Sequence, residues 1–362
     1  MKKVRTSDLL PGMELATDVF NYNEQLIMAG GMVLDDKTIT KLSFYSIPYA
    51  YIKTDSETET VSPREEAKEP VSYMERVRAS VEFREYKKEF ERVVGNMEQS
   101  TREIIEKNAP LSVMNPIIED ALVMLHGADS QTQILDMLHN MRDYDDITFA
   151  HSLNVGMICY VFAGWLHMSE KDAELALVCG IFHDIGKLLI PEEIITKPGK
   201  LTKEEYSLVK THPIEGYNAL RKYKVNEHVR NSVLMHHERY DGSGYPIGMH
   251  GREIDVFARM VAIADVYEAT TAPRRYRGAL CPFKVIEIFE NEGLQKYDTK
   301  MIITFLENIV NTYMQDKVKL NDGRIGDIVF INHPLLSKPV VKCGDDYVDL
   351  SKEKSLYIEE IM

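Results

Sequence analysis

Apolar residues recur at every third or fourth position through the middle of the chain, a spacing that predicts helix. Between about 72 and 108 they include Met74, Val77, Val81, Phe83, Tyr86, Phe90, Val93 and Met97, in a stretch rich in Glu, Lys and Arg. Such a helix either joins two copies as a homodimer or covers the neighbouring domain. Pro110 and Pro116 separate it from a second helical stretch over about 117–126. From about 132 to 315 helix follows helix. The stretches 152–167, 170–182, 203–223, 227–236 and 256–270 each carry an apolar face, with no alternating strands between them. That pattern predicts an all-α domain.

Both ends read differently. Residues 1–53 hold short apolar runs, Gln25 to Met28 and Tyr49 to Ile52, punctuated by Pro11-Gly12 and Gly30-Gly31. These predict strands, with a short helix at 35–44 capped by Asp35 or Asp36. Residues 54–70 are acidic, rich in Ser and Thr, and carry two prolines, a linker composition. In the tail, 328–331, 339–341 and 347–350 predict short strands between turns. The fold class expected is mainly α, with a small β-containing N-terminal domain and a short β-appendage at the C-terminus. Its divisions are 1–53, possible regulatory; 54–70, linker; 71–130, helical connector; 131–317, helical domain; and 318–362, appendage.

Composition narrows the function without naming it. The net charge of −14 argues against a nucleic-acid polymer as partner. An anionic substrate would need local positive charge or bound metal. Cys159, Cys179, Cys281 and Cys343 are scattered with no Cys-x-x-Cys pair, which suits reduced thiols in a cytoplasmic protein. The N-terminus has early positive charges but no apolar region after them, so no secretory signal is expected. The most apolar run, 155–165, is too short for a membrane span.

Five of the eleven histidines fall at or near helix ends or on helix faces: His151, His183, His212, His236 and His237. Asp184 and Asp265 add carboxylates. Helices of a bundle can bring such ligands to one interior site, and a His/carboxylate set suits several divalent metals. Adjacent His236 and His237 point about 100° apart on a helix, so both ligate only if the helix ends there. The glycine-rich turn that follows allows this. His126, His139, His167, His228, His250 and His333 are read as ordinary core or surface residues.

Several separated motifs occur in one order. His183-Asp184-Ile185-Gly186-Lys187 is similar to the HD-x-G-K motif, and 236–246, HHERYDGSGYP, to the extended signature of the HD-GYP family of HD phosphohydrolases. His151-Ser152, Ile190-Pro191, Lys197-Pro198-Gly199, His212 and Ala264-Asp265-Val266-Tyr267 extend the resemblance over about 140–310. It implies an HD-type helical bundle and a metal-dependent cyclic di-GMP phosphodiesterase in second-messenger signalling. The product would be pGpG, or GMP if hydrolysis continues, by metal-activated hydroxide attack on phosphorus. The resemblance also assigns residues. His151, His183, Asp184 and Asp265 would hold one ion, and Asp184 would bridge to a second held by His212, His236 and His237. Iron or manganese is favoured. Lys187 would contact phosphate as a point charge, beside Asp184 as the catalytic pair. Arg274 and Arg277 look like substrate contacts, or else a solvated basic turn. Glu238, Arg239, Asp241, Gly242, Gly244 and Tyr245 form the signature loop, either orienting ligands or packing beneath them.

The chain also departs from the family pattern. Where some members carry a glutamate four residues before the first histidine, Ile147 stands here, so two metals are expected rather than three. Asp143, Asp145 and Asp146 lie nearby and keep another ligand open. Glu268-Ala269-Thr270-Thr271 and Arg274-Arg275-Tyr276 replace the commoner Asp-Ala-Leu-Thr and Arg-Pro-Tyr. The competing readings are a catalytically weak cyclic-dinucleotide sensor and a hydrolase of another cyclic dinucleotide.

Overall fold

The computed structural model describes residues 1–6, 9–20, 26–35, 38–39, 42, 47, 49–53, 77–78, 80–128, 131–141, 148–197, 199–272 and 280–362. They form two compact units, 1–85 with Met362, and 86–361.

In the first unit β1 (Lys2–Arg5) pairs antiparallel with β4 (Tyr49–Ile52), and β2 (Val19–Phe20) with β3 (Leu26–Met28). The second and fourth residues of β4, Ala50 and Ile52, are buried and its tyrosines exposed, the period-2 alternation of a strand with one face inward. Leu15, Leu34, Leu42 and Ala50 belong to the small core. The apolar runs predicted as strands are β3 and β4; β1 and β2 gave too few apolar positions to be read. The helix expected at 35–44 falls largely outside the described residues, as does the linker 54–70.

Of the helical stretch expected over about 72–108, Val77 and Arg78 are helical and helix α1 runs over Val81–Lys107, while 72–76 lie outside the described residues. Ser80 interrupts the pattern: its Oγ accepts the Phe83 N–H at 3.0 Å, the geometry of a capping serine. Asn108, at φ 55°, ends the helix in the left-handed conformation that asparagine tolerates. Within the second unit the stripe Phe90, Val93, Val94, Met97 and Ile104 is fully buried. Tyr223 donates to the Ile104 carbonyl at 3.1 Å, and Arg92 pairs with Asp120 at 2.7 Å. The part of the stripe from Phe90 to Ile104 thus covers neighbouring helices of this unit.

The bundle continues through α2 (Asn115–His126), α3 (Gln131–Asn140), α4 (Phe149–Trp165), α5 (Glu170–Phe182), α6 (Glu192–Ile195), α7 (Lys203–Val209), α8 (His212–Leu220), α9 (Glu227–Met235), α10 (Val256–Thr271), α11 (Pro282–Ile288), α12 (Leu294–Lys296) and α13 (Thr299–Thr312). The single helix expected over 203–223 is two. Pro213 has no N–H to give to a continuous ladder, so the chain turns at Lys210-Thr211 and restarts at His212. Helices α4 and α10 are buried nearly all round rather than on one face, which makes them the centre of the bundle. The tail forms one antiparallel sheet in the order β8-β7-β6-β5-β9. Its strands are β5 (Lys317–Leu320), β6 (Ile325–Phe330), β7 (Val340–Cys343), β8 (Asp346–Asp349) and β9 (Ile358–Ile361). Strands β5 and β9 were missed, because their charged residues mask the buried Val318, Leu320 and Ile358.

One contact sets how the central helices meet. A Cβ on Gly180 of α5 would lie 2.5 Å from the Gly156 Cα of α4. Two bare backbones therefore touch there, and the ends of these helices bring His151 and His183 side by side. Overpacking such a contact costs about 1–3 kcal/mol. Gly180→Val should lower the urea unfolding midpoint by at least that equivalent; an unchanged midpoint would mean that the two helices do not meet at this point.

Candidate metal centre

Helix ends supply most of the polar cluster. His151 lies in the first turn of α4, His183 caps the end of α5, His212 opens α8 and His236 caps the end of α9. Asp265 lies inside α10. The helix carrying His236 ends at Met235, so His236 and His237 can face the same place. Two sets of ligand atoms each lie within 4.8 Å of one another: Asp184, His212, His236 and His237, and His151, His183 and Asp265.

Asp184 stands between the sets. Its Oδ2 is 3.2 Å from His183 Nε2 and 3.7 Å from His151 Nε2. Its Oδ1 is 3.2 Å from His212 Nε2 and 3.7 Å from His236 Nε2. His151 Nε2 reaches Asp265 Oδ1 at 3.1 Å. The local fold forces this closeness at Gly186, where an added Cβ would lie 2.0 Å from the His212 carbonyl oxygen.

Hydrogen bonds behind the rings fix which nitrogen faces inward. His183 Nδ1 donates to the Gly180 carbonyl at 2.6 Å and His212 Nδ1 to that of Val209 at 2.7 Å. His236 Nδ1 donates to the carbonyls of Val233 at 3.0 Å and Ser232 at 3.1 Å. A carbonyl only accepts, so each of these rings carries its proton on Nδ1 and turns an Nε2 lone pair to the centre. His151 Nδ1 is held instead by the Glu268 carboxylate, whose other oxygen accepts from Asn154 at 3.2 Å. His212 Nε2 and His236 Nε2 thus stand 3.2 Å apart as two acceptors. His183 Nε2 and Asp184 Oδ1 are buried without a hydrogen bond. Buried polar atoms left this way are costly, and converging lone pairs fit a cation. The donor set matches a divalent metal.

The charges agree. Burial opposes ionisation of Asp184, but His183 and Lys187 beside it hold its carboxyl well below the usual range. Burial likewise opposes Asp265, which His151 keeps low. Burial depresses His236 to about 4, against the pull of Asp184, and also lowers His237. At His151 burial disfavours the proton, yet the Glu268 charge and bonds to Asp265 and Glu268 raise it to about 9.

The signature loop lies beside this cluster. Glu238 is buried and accepts the backbone N–H groups of Ile247 at 2.7 Å, Gly248 at 3.1 Å and Met249 at 3.0 Å. Arg239 donates to the Glu238 carbonyl at 3.1 Å and lies 5.1 Å from the Tyr297 ring. Asp241 accepts from Ser243 N at 2.9 Å and Oγ at 2.6 Å, closing a local turn. Gly242 and Gly244 belong to that turn, and Gly242 N–H donates to the Arg239 carbonyl at 2.8 Å. Tyr245 stacks on His237 with ring centroids 4.6 Å apart. Lys187 pairs with Asp184 Oδ2 at 2.5 Å. Arg274, Arg277, Ile147 and the acidic group at 143–146 lie outside the described residues. Sequence reasoning missed the part of Glu268; its place three residues after Asp265 on one helix was the available signal.

One family model, described as HD domain, matches residues 112–301, more than half of the chain. The chain belongs to the HD domain family. The HD-GYP resemblance of the motifs agrees with that membership. A cyclic di-GMP phosphodiesterase of Pseudomonas aeruginosa is 33% identical over 206 residues, covering 57% of this chain and 50% of that protein. A 3′3′-cGAMP-specific phosphodiesterase of Vibrio cholerae is 35% identical over 220 residues, covering 60% of this chain and 49% of that protein. The chain spans about half the length of these curated relatives. Among solved structures, an HDG"Y"P protein from Bdellovibrio bacteriovorus shares the fold, with TM-score 0.51 and 17% identity over 85% of this chain and 99% of its own.

The shifts give a signed prediction for metal-free protein. A raised histidine stabilises the fold below its unfolded value of about 6.5, and that contribution is lost as pH rises through the folded value. For His151 the loss runs from about 6.5 to about 9. A lowered histidine stabilises above about 6.5 and loses this as pH falls, for His236 towards about 4. Melting temperature should therefore peak near pH 6.5 and fall on both sides. Glu268→Gln should flatten the alkaline fall; an unchanged alkaline limb would remove Glu268 as the cause.

Proposed function

We propose that this centre hydrolyses a phosphodiester of a cyclic dinucleotide, cyclic di-GMP first, giving pGpG and onward GMP. The observation that carries the reading is the pair of Nε2 lone pairs of His212 and His236, 3.2 Å apart with both Nδ1 protons already engaged. Such a pair is suited to an electrophile between them. In this reading His151, His183 and Asp265 would hold one divalent ion and His212, His236 and His237 a second, with Asp184 available to both. Iron or manganese suits a donor set of imidazoles and carboxylates with no thiolate. When bound, the two ions supply Lewis acidity to a phosphoryl oxygen and an activated water near neutral pH.

The chain's own residues prepare the rest. Backbone carbonyls and Glu268 keep the imidazoles in one tautomer, so no reorganisation is needed as charge develops. The Lys187 side chain is 26% exposed, so its ammonium can serve a phosphate oxygen while remaining near Asp184. Arg274 and Arg277 are proposed as further contacts on sequence grounds alone. No described helix is long and apolar enough to cross a membrane, in keeping with action on a cytoplasmic second messenger.

A second reading, hydrolysis of a mixed cyclic dinucleotide, is favoured by relatives named for 3′3′-cGAMP at similar identity. A sensor without turnover is disfavoured by seven inward donors.

Product chromatography with cyclic di-GMP, 3′3′-cGAMP and cyclic di-AMP, on protein loaded with iron or manganese, separates these readings. Cyclic di-GMP should be cleaved fastest; intact dinucleotides throughout would reject hydrolysis. Changing a group behind a metal ligand costs about 10–100-fold. His183→Ala and Asp184→Ala, which remove ligands themselves, should exceed that loss while circular dichroism stays helical. Retained turnover in both would break the ligand assignment.

A further inference from the structure

Four of the five inward histidines make a hydrogen bond behind the ring, to a main-chain carbonyl or to Glu268. His237 does not. Among the described residues its ring makes no hydrogen bond. It is also less buried than the others of its set. What touches its face is Tyr245, with centroids 4.6 Å apart and planes at 24°. His212 and His236 meet it at 5.1 and 4.1 Å between centroids. Lys210 Nζ lies 4.7 Å from the Tyr245 centroid. At that distance the ring quadrupole of Tyr245 attracts the ammonium.

We propose that Tyr245 is the positioning residue of His237, doing by ring stacking what a hydrogen bond does for the other four histidines, with the Lys210 ammonium held against the Tyr245 ring. The inference rests on the metal-centre reading. Stacking fixes the tilt of the imidazole but neither its rotation in its own plane nor its tautomer. His237 is therefore the least constrained donor, and the ion held with His212 and His236 is the one that leaves first. The Tyr245 ring face matters for this and its hydroxyl does not.

The test is metal retention, not turnover. Full-length protein loaded with manganese is dialysed against graded chelator and its metal counted by elemental analysis. Wild type and Tyr245→Phe should keep two equivalents. Tyr245→Leu should keep one, its second ion weakened by roughly 10–100-fold, the range for residues that orient ligands. His237→Ala should match it, and the double variant should lose no more. The retained ion at His151, His183 and Asp265 reports that the centre is still folded. Wild type and Tyr245→Leu both holding two ions with equal chelator resistance would overturn this inference alone. Loss of the second ion in Tyr245→Phe as well would overturn the role of the ring face. Wild type holding no ion would overturn the metal reading, and this inference with it.

Discussion

Everything at the centre of this protein depends on a carboxylate surrounded by imidazoles that have nowhere else to point. Asp184 is buried, and four Nε2 atoms lie within 3.7 Å of its two oxygens. Three of those rings have given their only proton to main-chain carbonyls. Electron-rich groups packed this way repel one another unless positive charge lies among them. The helices around them are packed tightly enough to keep them together. That packing is dominated by α4 and α10, whose apolar residues are excluded from water on almost every side. The bundle supplies the stability, and the centre draws on it.

Much of this was legible in the sequence. Long amphipathic stretches announced the bundle, and the separated His-Asp motifs announced the cluster, because motif order survives even where element boundaries do not. Boundaries failed where one residue overrode a periodic pattern. Ser80 capped a helix inside an apparently continuous stripe, and Pro213 split another in two. The second error bears on chemistry: splitting the helix places His212 in a first turn, where its Nδ1 reaches the Val209 carbonyl. Strands β5 and β9 stayed hidden because alternation is weak over four residues in which lysine or glutamate fills the outward positions.

Side-chain roles were harder to read than membership of the polar cluster. Residue type and spacing suggest which groups can bind a metal, but not which groups hold the binders. Glu268 stood in the sequence as a departure from the family pattern and lies in space behind His151. Asp241 stood in the signature itself and closes a turn with Ser243. Glu238, next to His237, accepts three consecutive amides. The segment 247–249 is therefore tied to the residue adjoining an inward histidine, and a displacement of one is passed to the other.

Gly186 shows how a motif residue can be indispensable without touching any reactant. The helix bearing His212 rests directly on its backbone. Even a single methyl group there would wedge apart the two halves of the ligand set. Its contribution is clearance, and a larger residue would separate the clustered histidines from Asp184 by geometry while every donor atom remained in the chain.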